Sequence, residues 1–197
     1  FVMIVCIPFA WAWMLPTEMK FFSNSLISVS FFISNMFFWK EKTDYFAKSA
    51  EENPLLHTWS LAIEEQYYIF FPIFLFIFWK ISRDLVFYLI CLVVILSLCL
   101  NEWAIRNDHL EANFYFIFTR AWELLAGSIA AFIVEKKGIK KNEVLALFGL
   151  LAILFSFVIY DKTTPIPSVY ALIPVIGTVF IILYADKETV VAKLLSL

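Results

Sequence analysis

Polar and ionisable side chains cluster where the segment from His57 to Tyr68 opens into the apolar run from Ile69 to Trp79. The segment holds an imidazole, an indole, two hydroxyls and two carboxylates: His57, Trp59, Thr58, Ser60, Glu64 and Glu65. Charged groups that enter a bilayer cost a few kcal/mol each, so they usually face a bundle interior, a water-filled cavity or a partner. Such groups can also transfer protons, which makes this cluster the first candidate for chemistry.

Helical spacing places part of the cluster on one face. The residues that recur at i, i+3, i+7 and i+11, called the stripe below, are His57, Ser60, Glu64 and Tyr68. An ordinary helix start is one interpretation, with Thr58 or Ser60 as N-cap and carboxylates near the positive end of the helix dipole. Capping leaves the histidine and tryptophan unexplained, which favours a polar site with Glu64 as its leading carboxylate and Glu65 as the rival.

A second charged set lies inside the apolar run from Phe114 to Val134. Arg120, Glu123 and Gly127 fall at i, i+3 and i+7, so they share one helical face. They are interpreted either as an intrahelical ion pair that neutralises itself, or as an arginine that reaches Glu64 or a bound anion. In the second interpretation, Gly127 lets another helix come close.

Composition identifies the kind of structure that must position these groups. The chain is 62% hydrophobic and 16% charged with only 4 glycines in 197 residues, which excludes an ordinary soluble domain. The fold class predicted is all-α, a polytopic transmembrane helix bundle with about six to seven apolar helical segments in the chain. These are Phe1 to Leu15, Lys20 to Trp39, Leu61 to Trp79, Leu85 to Leu100, Phe114 to Val134, Val144 to Tyr160 and Ser168 to Ala185.

One of these segments and two connections need separate interpretation. Lys20 to Trp39 is rich in serine and asparagine, so it either crosses the membrane or lies re-entrant against the bundle. Lys40 to Leu56 is predicted to be a polar loop, favoured as a solvated linker over a cap on the site. Asn101 to Asn113 is predicted to be a second polar loop, and Pro72 is predicted to kink its helix.

Charge distribution predicts the orientation of the chain. Four lysines lie between Glu135 and Asn142, which by the positive-inside rule makes this loop cytoplasmic. Counting spans from it puts the loop before His57 outside, so that His57 and Glu64 enter the membrane from the outer side. The net charge of −2, without a large basic patch, indicates no nucleic-acid partner. Three cysteines in apolar segments, without ligand spacing, indicate no metal site and no disulfide.

Two sequence blocks resemble one known family. The string His57-Thr58-Trp59-Ser60-Leu61, followed by Glu64-Glu65-Gln66-Tyr67-Tyr68 and Pro72, resembles the signature of acyltransferase family 3. The block from Arg120 to Gly127 is similar to the family's Arg-x-Trp-Glu-Leu-x-x-Gly helix. The resemblance covers essentially residues 1–197, which are interpreted as an internal fragment of one family membrane domain with no separate soluble domain. The family's early-span histidine and paired arginines lie outside this sequence.

The resemblance implies a function and roles for the site residues. It implies transfer of an acyl group, mostly acetyl, from cytoplasmic acyl-CoA as co-substrate to a hydroxyl of a carbohydrate or glycolipid, in polysaccharide or lipopolysaccharide O-acetylation at the bacterial inner membrane. Glu64 is expected to orient or activate the acceptor, and Arg120 with Glu123 to stabilise structure or an anion. The acceptor side is expected to be shaped by His57, Trp59 and Ser60. No residue is assigned to the acyl-CoA, and no metal is expected.

Two functions of other classes stay open on the sequence alone. Buried charges with kinked spans also line the substrate pathways of transporters and flippases. A membrane scaffold without catalytic activity is the third interpretation.

Overall fold

A computed structural model describes residues 2–43, 53–161 and 164–196 of the chain. In those ranges every regular element is helical, and no strand is present, which confirms the all-α prediction. The helices are α1 Val2–Trp13, α2 Pro16–Ser30, α3 Ser34–Thr43, α4 Thr58–Phe78, α5 Arg83–Arg106, α6 Leu110–Tyr115, α7 Ile117–Lys137, α8 Glu143–Ile159, α9 Leu172–Tyr184 and α10 Val190–Leu195. A short 3-10 turn, Val169–Ala171, precedes α9.

Three stretches are long and apolar enough to cross a membrane. They are α4 with 21 residues, α5 with 24, and Leu110–Lys137 with 28, and a bilayer core needs about 20. Shorter apolar helices are Val2–Trp13, Glu143–Ile159 and Val169–Tyr184. Large hydrophobic side chains lie on the outer surface, and Phe157 is 87% exposed. A surface of this kind is stable against lipid rather than water, so the fold is that of a helical membrane protein.

The chain forms two compact units, which are described separately. Unit 1 comprises Phe1–Phe74 and His109–Ile117, and unit 2 comprises Leu75–Asp108 and Phe118–Leu197. The cluster on α4 belongs to unit 1, and the charged residues of α7 belong to unit 2. Each unit therefore contains one of the two sequence blocks that resemble acyltransferase family 3.

In unit 1, the segment from Lys20 to Trp39 is not one continuous helix. Helix α2 ends at Ser30 and α3 begins at Ser34, and Phe32 between them adopts a φ of 58°. Serine hydroxyls bond to carbonyls within α2, such as Ser28 Oγ to Asn24 O at 2.9 Å, so they need no partner elsewhere. The interruption favours the re-entrant interpretation, whose depth in the bilayer stays a prediction.

The connection predicted from Lys40 to Leu56 differs from a solvated linker at both ends. Its first residues continue α3 as far as Thr43, and residues 44–52 lie outside the described ranges. At the other end Asn53 is 6% exposed, where its Nδ2 donates to Ser25 Oγ at 3.2 Å and its Oδ1 accepts from Leu55 N at 2.8 Å. This Asx turn fixes the entry into α4 against α2, so the prediction of a solvated linker is wrong for the described ends.

The predicted polar loop from Asn101 to Asn113 is also wrong. Helix α5 continues to Arg106, and α6 begins at Leu110. Asn101 is fully buried, and its Nδ2 donates to the carbonyl of Thr119 at 3.2 Å. A polar residue can lie within a buried helix when its side-chain amide has a partner on a neighbouring helix. The polarity of the segment alone does not indicate such a partner.

Two glycines bring α8 and α9 of unit 2 into backbone contact. A Cβ added at Gly149 would lie 2.5 Å from the carbonyl oxygen of Gly177, and one at Gly177 would lie 2.7 Å from that of Gly149. Within unit 2, no described atom outside the backbone of α7 lies within 4 Å of a Cβ added at Gly127. The close approach predicted there, in which Arg120 reaches Glu64 of unit 1, stays a prediction. Small residues thus permit close contact between α8 and α9 in unit 2.

Replacing Gly149 by alanine should therefore destabilise unit 2 by about 1–3 kcal/mol, because the methyl group must push the two backbones apart. Thermal unfolding of the intact protein in detergent measures this effect. Gly127→Ala is the matched control: its added methyl group meets no other segment of unit 2, so it should leave stability unchanged or raise it by up to about 1 kcal/mol through helix propensity. Equal melting temperatures for the two variants would contradict the contact between α8 and α9.

Candidate functional site

Hydrogen bonds from neighbouring segments fix the start of α4 in unit 1. Thr58 Oγ1 donates to the carbonyl of Leu55 at 2.6 Å, and Ser60 Oγ donates to that of His57 at 3.3 Å. The carbonyl of Thr58 accepts from Ser34 Oγ at 2.9 Å. An N-cap hydroxyl would instead accept a hydrogen bond from a backbone amide two or three residues later, so these contacts do not support the simple capping interpretation.

The packed face of α4 is built around Trp59. Its ring centroid lies 4.4 Å from that of Phe114 and 5.7 Å from that of Tyr115, both on α6. One turn further along, Ala62 and Ile63 are 3% and 4% exposed. Trp59 therefore anchors α4 within unit 1, while its expected part in shaping the acceptor side stays a prediction.

Gln66 belongs to the string that resembles the family signature. Its side chain forms hydrogen bonds at the break between α2 and α3. Its Nε2 donates to the carbonyl of Phe32 at 2.7 Å and to Asn35 Oδ1 at 3.0 Å. Asn35 is 2% exposed, and its Nδ2 donates in turn to the carbonyl of Tyr115 at 3.0 Å. The network supplies partners to polar groups at the interruption, which explains why an amide occurs at this position of an apolar helix.

The stripe occupies the less packed side of the same helix. His57 and Tyr68 are exposed, whereas Ser60, Glu64 and Glu65 are half-buried. Within unit 1, neither Glu64 nor Glu65 makes a hydrogen bond or ion pair with a described residue. The two carboxylates are thus not used by the contacts that hold this unit together, and both are available for chemistry.

In unit 2, the hydroxyl of Ser97 on α5 bonds to two backbone groups in the first turns of α7. Its hydroxyl donates to the carbonyl of Phe118 at 2.7 Å and accepts from the amide of Trp122 at 3.2 Å. The carbonyl and the amide lie four residues apart on α7, so the hydroxyl contacts both ends of one helical turn. Asn101, one turn along α5, bonds the next carbonyl, that of Thr119. The pair Ser97 and Asn101 therefore sets the position of the arginine and glutamate on α7.

Sequence reasoning missed Ser97 and Asn101, although a signal was present. They lie four residues apart on one face of a helix whose other residues are mostly apolar, a spacing typical of polar contacts between membrane helices. Near them, Asn101 Oδ1 and Trp122 Nε1 are buried polar atoms for which the described residues supply no hydrogen-bond partner.

Replacing Ser97 by alanine should destabilise the protein by about 1–3 kcal/mol, because the hydroxyl bonds a partly buried carbonyl and a buried amide together. It should also speed hydrogen exchange at the amide of Trp122, measured by mass spectrometry in detergent. Ser156→Ala is the matched control, since Ser156 is also buried but only bonds the carbonyl of Ala152 in its own helix. An effect of Ser97→Ala no larger than that of Ser156→Ala would contradict this bridging role of Ser97.

Arg120 and Glu123 form the intrahelical ion pair that their spacing predicts. Arg120 Nη2 lies 2.8 Å from Glu123 Oε2, and each side chain is 20% exposed. Between them in sequence, Trp122 is 1% exposed. The longer reach of Arg120 to Glu64 stays a prediction, because Glu64 lies in unit 1 and Arg120 in unit 2. The pair places a guanidinium, with several N–H donors, beside a carboxylate inside an apolar helix.

Comparison with known proteins shows which proteins the chain resembles. The chain is 34% identical over 186 residues to the O-acetyltransferase OatA of Staphylococcus aureus (strain NCTC 8325 / PS 47), covering 87% of this chain and 30% of that protein. The chain is related to O-acetyltransferases. A protein of S. aureus strain COL, provisionally named an O-acetyltransferase, is 29% identical over 198 residues, covering 88% of this chain and 31% of that protein.

A third relative comes from another genus. A Haemophilus influenzae protein named only as uncharacterized is 35% identical over 164 residues, covering 77% of this chain and 66% of that protein. The chain thus spans less than a third of the length of the S. aureus relatives, at 30% and 31%. No protein-family model matches the chain. No solved structure matches it.

These relationships bear on the alternatives that the sequence left open. Names that describe acetyl transfer favour a transferase and do not favour the transporter or flippase interpretation. With the three long apolar helices, they make this chain part of a membrane protein related to acetyltransferases. The roles of individual site residues remain predictions.

Proposed function

We propose that this chain is part of a multi-pass acyltransferase of acyltransferase family 3 in a bacterial inner membrane. The enzyme moves an acyl group, in the first instance acetyl, from cytoplasmic acyl-CoA to a hydroxyl of a carbohydrate or lipid-linked glycan. The observation that carries the proposal is the 34% identity to the O-acetyltransferase OatA across 87% of the chain. The two motif blocks and the charged groups on α4 and α7 support it.

The proposed reaction forms an ester and breaks a thioester. The acceptor hydroxyl oxygen attacks the thioester carbonyl, coenzyme A leaves as the thiolate, and the hydroxyl proton is taken up by a base. Glu64 is proposed to accept that proton or to orient the hydroxyl, because it is half-buried and unused by the contacts of unit 1. Arg120 can pair with Glu123 and still offer donors to the oxyanion that develops. The acceptor would meet the less packed side of α4, which bears His57 and Ser60, and Trp59, packed against α6, would hold that helix in position.

Acetyl transfer by the intact protein tests the proposal. Purified full-length protein in proteoliposomes would receive acetyl-CoA labelled in the acetyl group, with a glycan or glycolipid fraction from the source cell as acceptor. Label esterified to the glycan, and released by mild base, is the expected result. Substrate uptake without covalent modification would contradict the proposal and restore the transporter interpretation.

The proposed orientation places the loop with Lys136, Lys137, Lys140 and Lys141 in the cytoplasm. Glu188 bonds to Lys141, and this hydrogen bond together with the negative charge of Glu188 raises the pKa of the amine above its ordinary value. Lys141 is therefore protonated at neutral pH and counts fully toward the positive-inside rule.

Cysteine labelling tests this orientation. In a background without Cys6, Cys91 and Cys99, single cysteines at Lys137 and Lys48 should react with a membrane-impermeant maleimide from opposite sides of sealed vesicles. Lys137 is described and exposed, whereas Lys48 falls outside the described ranges. Labelling of both positions from one side would contradict the topology.

A further inference from the structure

A cleft lies between the start of α5 and the end of α7 in unit 2. Its volume is about 400 Å³, within the range of ligand sites in proteins. The lining residues are Arg83, Asp84, Phe87, Tyr88, Phe132, Ile133, Glu135, Lys136 and Lys137. None of the candidate site residues described above lines this cleft.

Charges at the mouth of the cleft are paired, except for one lysine. Arg83 lies 3.5 Å from Glu135, and Lys136 lies 3.5 Å from Asp84. Lys137 has no acidic partner among the described residues, which leaves the lining with one net positive charge from three cations and two anions. Both ion pairs are largely exposed and hence worth less than about 1 kcal/mol each, so a stronger anion can exchange for either carboxylate.

The cleft changes character along the helix axes. The charged residues occupy the helix ends, and the deeper wall is formed by Phe87, Phe132 and Ile133. Tyr88, also in the wall, is 69% exposed on the outer surface of α5, so the apolar part continues onto the side of an apolar helix. On each helix the lining spans six residues, or roughly 9 Å along the axis. That length is similar to the distance over which a bilayer changes from polar head groups to apolar acyl chains.

Aromatic rings beside the cleft mark the same level. The guanidinium carbon of Arg83 lies 5.0 Å from the ring centre of Trp79, and the ring of Trp79 lies 5.6 Å from that of Phe132. Tryptophan and basic residues at helix ends typically lie at the membrane interface. The cleft is therefore at the depth where a lipid phosphate would be.

We propose that this cleft binds one anionic phospholipid, with its phosphate on Lys137 and the neighbouring Arg83 and Lys136, and an acyl chain along Phe87, Phe132 and Ile133. The net charge favours an anion, and the gradient from charged to apolar lining fits a lipid. Continuity with the outer surface of α5 favours a lipid over a soluble nucleotide, because the bound chain stays in contact with the bilayer. The inference does not depend on the proposed transferase activity.

Native mass spectrometry of the intact protein in a neutral detergent tests the proposal. Phosphatidylglycerol and phosphatidylcholine with identical acyl chains are titrated in parallel, and phosphatidylglycerol should bind several-fold more tightly. Lys137→Gln should weaken phosphatidylglycerol binding by roughly fivefold, the effect expected from one charge near the membrane surface, and should leave phosphatidylcholine unchanged. Lys140→Gln is the matched control, since Lys140 lies in the same basic segment but does not line the cleft. It should change neither affinity.

A second variant tests the apolar wall. Ile133→Trp fills the cleft without changing its charge and should lower phosphatidylglycerol binding by roughly tenfold, provided that its melting temperature matches that of the wild type. Coenzyme A is titrated separately to distinguish a phosphate-bearing cofactor from a lipid. Equal binding of the two lipids, or equal effects of Lys137→Gln and Lys140→Gln, would overturn the proposal. So would coenzyme A binding that Lys137→Gln weakens while lipid binding is unaffected.

Discussion

Replacing Glu64 by glutamine should lower the rate of acyl transfer by the intact protein about a hundredfold or more, while leaving its amount in the membrane nearly unchanged. Glutamine keeps the size and shape of the side chain and removes its negative charge and its capacity to accept a proton. A general base or an orienting carboxylate depends on that charge. The rate of label transfer from acetyl-CoA to the glycan measures the first effect, and immunoblotting of isolated membranes measures the second.

We expect Glu64→Gln to fold normally, because the contacts that hold unit 1 together do not involve Glu64. The packed face of α4 consists of Trp59, Ala62, Ile63 and Gln66, whereas Glu64 lies to one side without a hydrogen bond or ion pair to a described residue of its unit. A half-buried carboxylate with no such contact costs stability rather than adding it. Its presence in an apolar helix is more easily explained by function than by folding.

Two further variants test whether the loss of activity is specific to Glu64. Glu65→Gln tests the rival carboxylate, which has the same half-buried position and the same lack of contacts within unit 1. Glu111→Gln is the control, because Glu111 is exposed on α6 and should tolerate the change. Glu41 is less suitable, since it continues α3 and is half-buried instead of lying in a loop. Near wild-type transfer by Glu64→Gln, made in normal amounts, would refute the role of Glu64 and direct attention to Glu65.

Periodicity and composition were sufficient to predict the helical class and most helix positions. Long apolar runs bounded by polar residues locate α4, α5 and α7, because a membrane-spanning backbone must satisfy its hydrogen bonds internally. The ion pair of Arg120 and Glu123 was also predictable, since residues at i and i+3 are neighbours on any helix. These features depend on local sequence alone.

Features that depend on contacts distant in sequence were not predictable. Asn101 was assigned to a loop because it is polar, yet it is buried where the carbonyl of Thr119, 18 residues away, accepts its hydrogen bond. The contact between Gly149 and Gly177 joins residues 28 apart, and neither segment alone indicates it. In both cases the residue type was informative, but only the packing of two helices reveals which partner it serves.

In the candidate site, too, local features were predictable from the sequence and contacts between distant segments were not. Residue types and helical spacing identified Glu64, Arg120 and Glu123, and the local pair was confirmed. The supporting contacts of Gln66 and Ser97 were missed, because each bonds backbone groups on another segment, at Phe32 and at Phe118. Both residues interact with carbonyls at helix breaks, and the breaks themselves leave little trace in a single sequence.

Breaking the ion pair on α7 should have the second large effect. Arg120→Met should destabilise the protein by about 2–4 kcal/mol, because it leaves the carboxylate of Glu123 without its ion-pair partner inside an apolar helix. Glu123→Met removes the same ion pair from Arg120 and should also destabilise the protein. The two charged groups are 2.8 Å apart with 20% exposed side chains, so water can replace the lost partner only in part. Folded protein after detergent extraction, measured by size-exclusion chromatography and thermal unfolding, is the readout.

The double variant separates structure from catalysis. Arg120→Met with Glu123→Met removes both charges at similar volume and should recover most of the folded protein, since an apolar pair has no charge to desolvate. Glu135→Gln, which breaks an exposed pair with Arg83 at 3.5 Å, is the control and should cost less than about 1 kcal/mol. If the guanidinium stabilises the oxyanion of acyl transfer, the double variant will be folded but slower by about a hundredfold. A folded double variant with wild-type transfer would restrict Arg120 and Glu123 to a structural role.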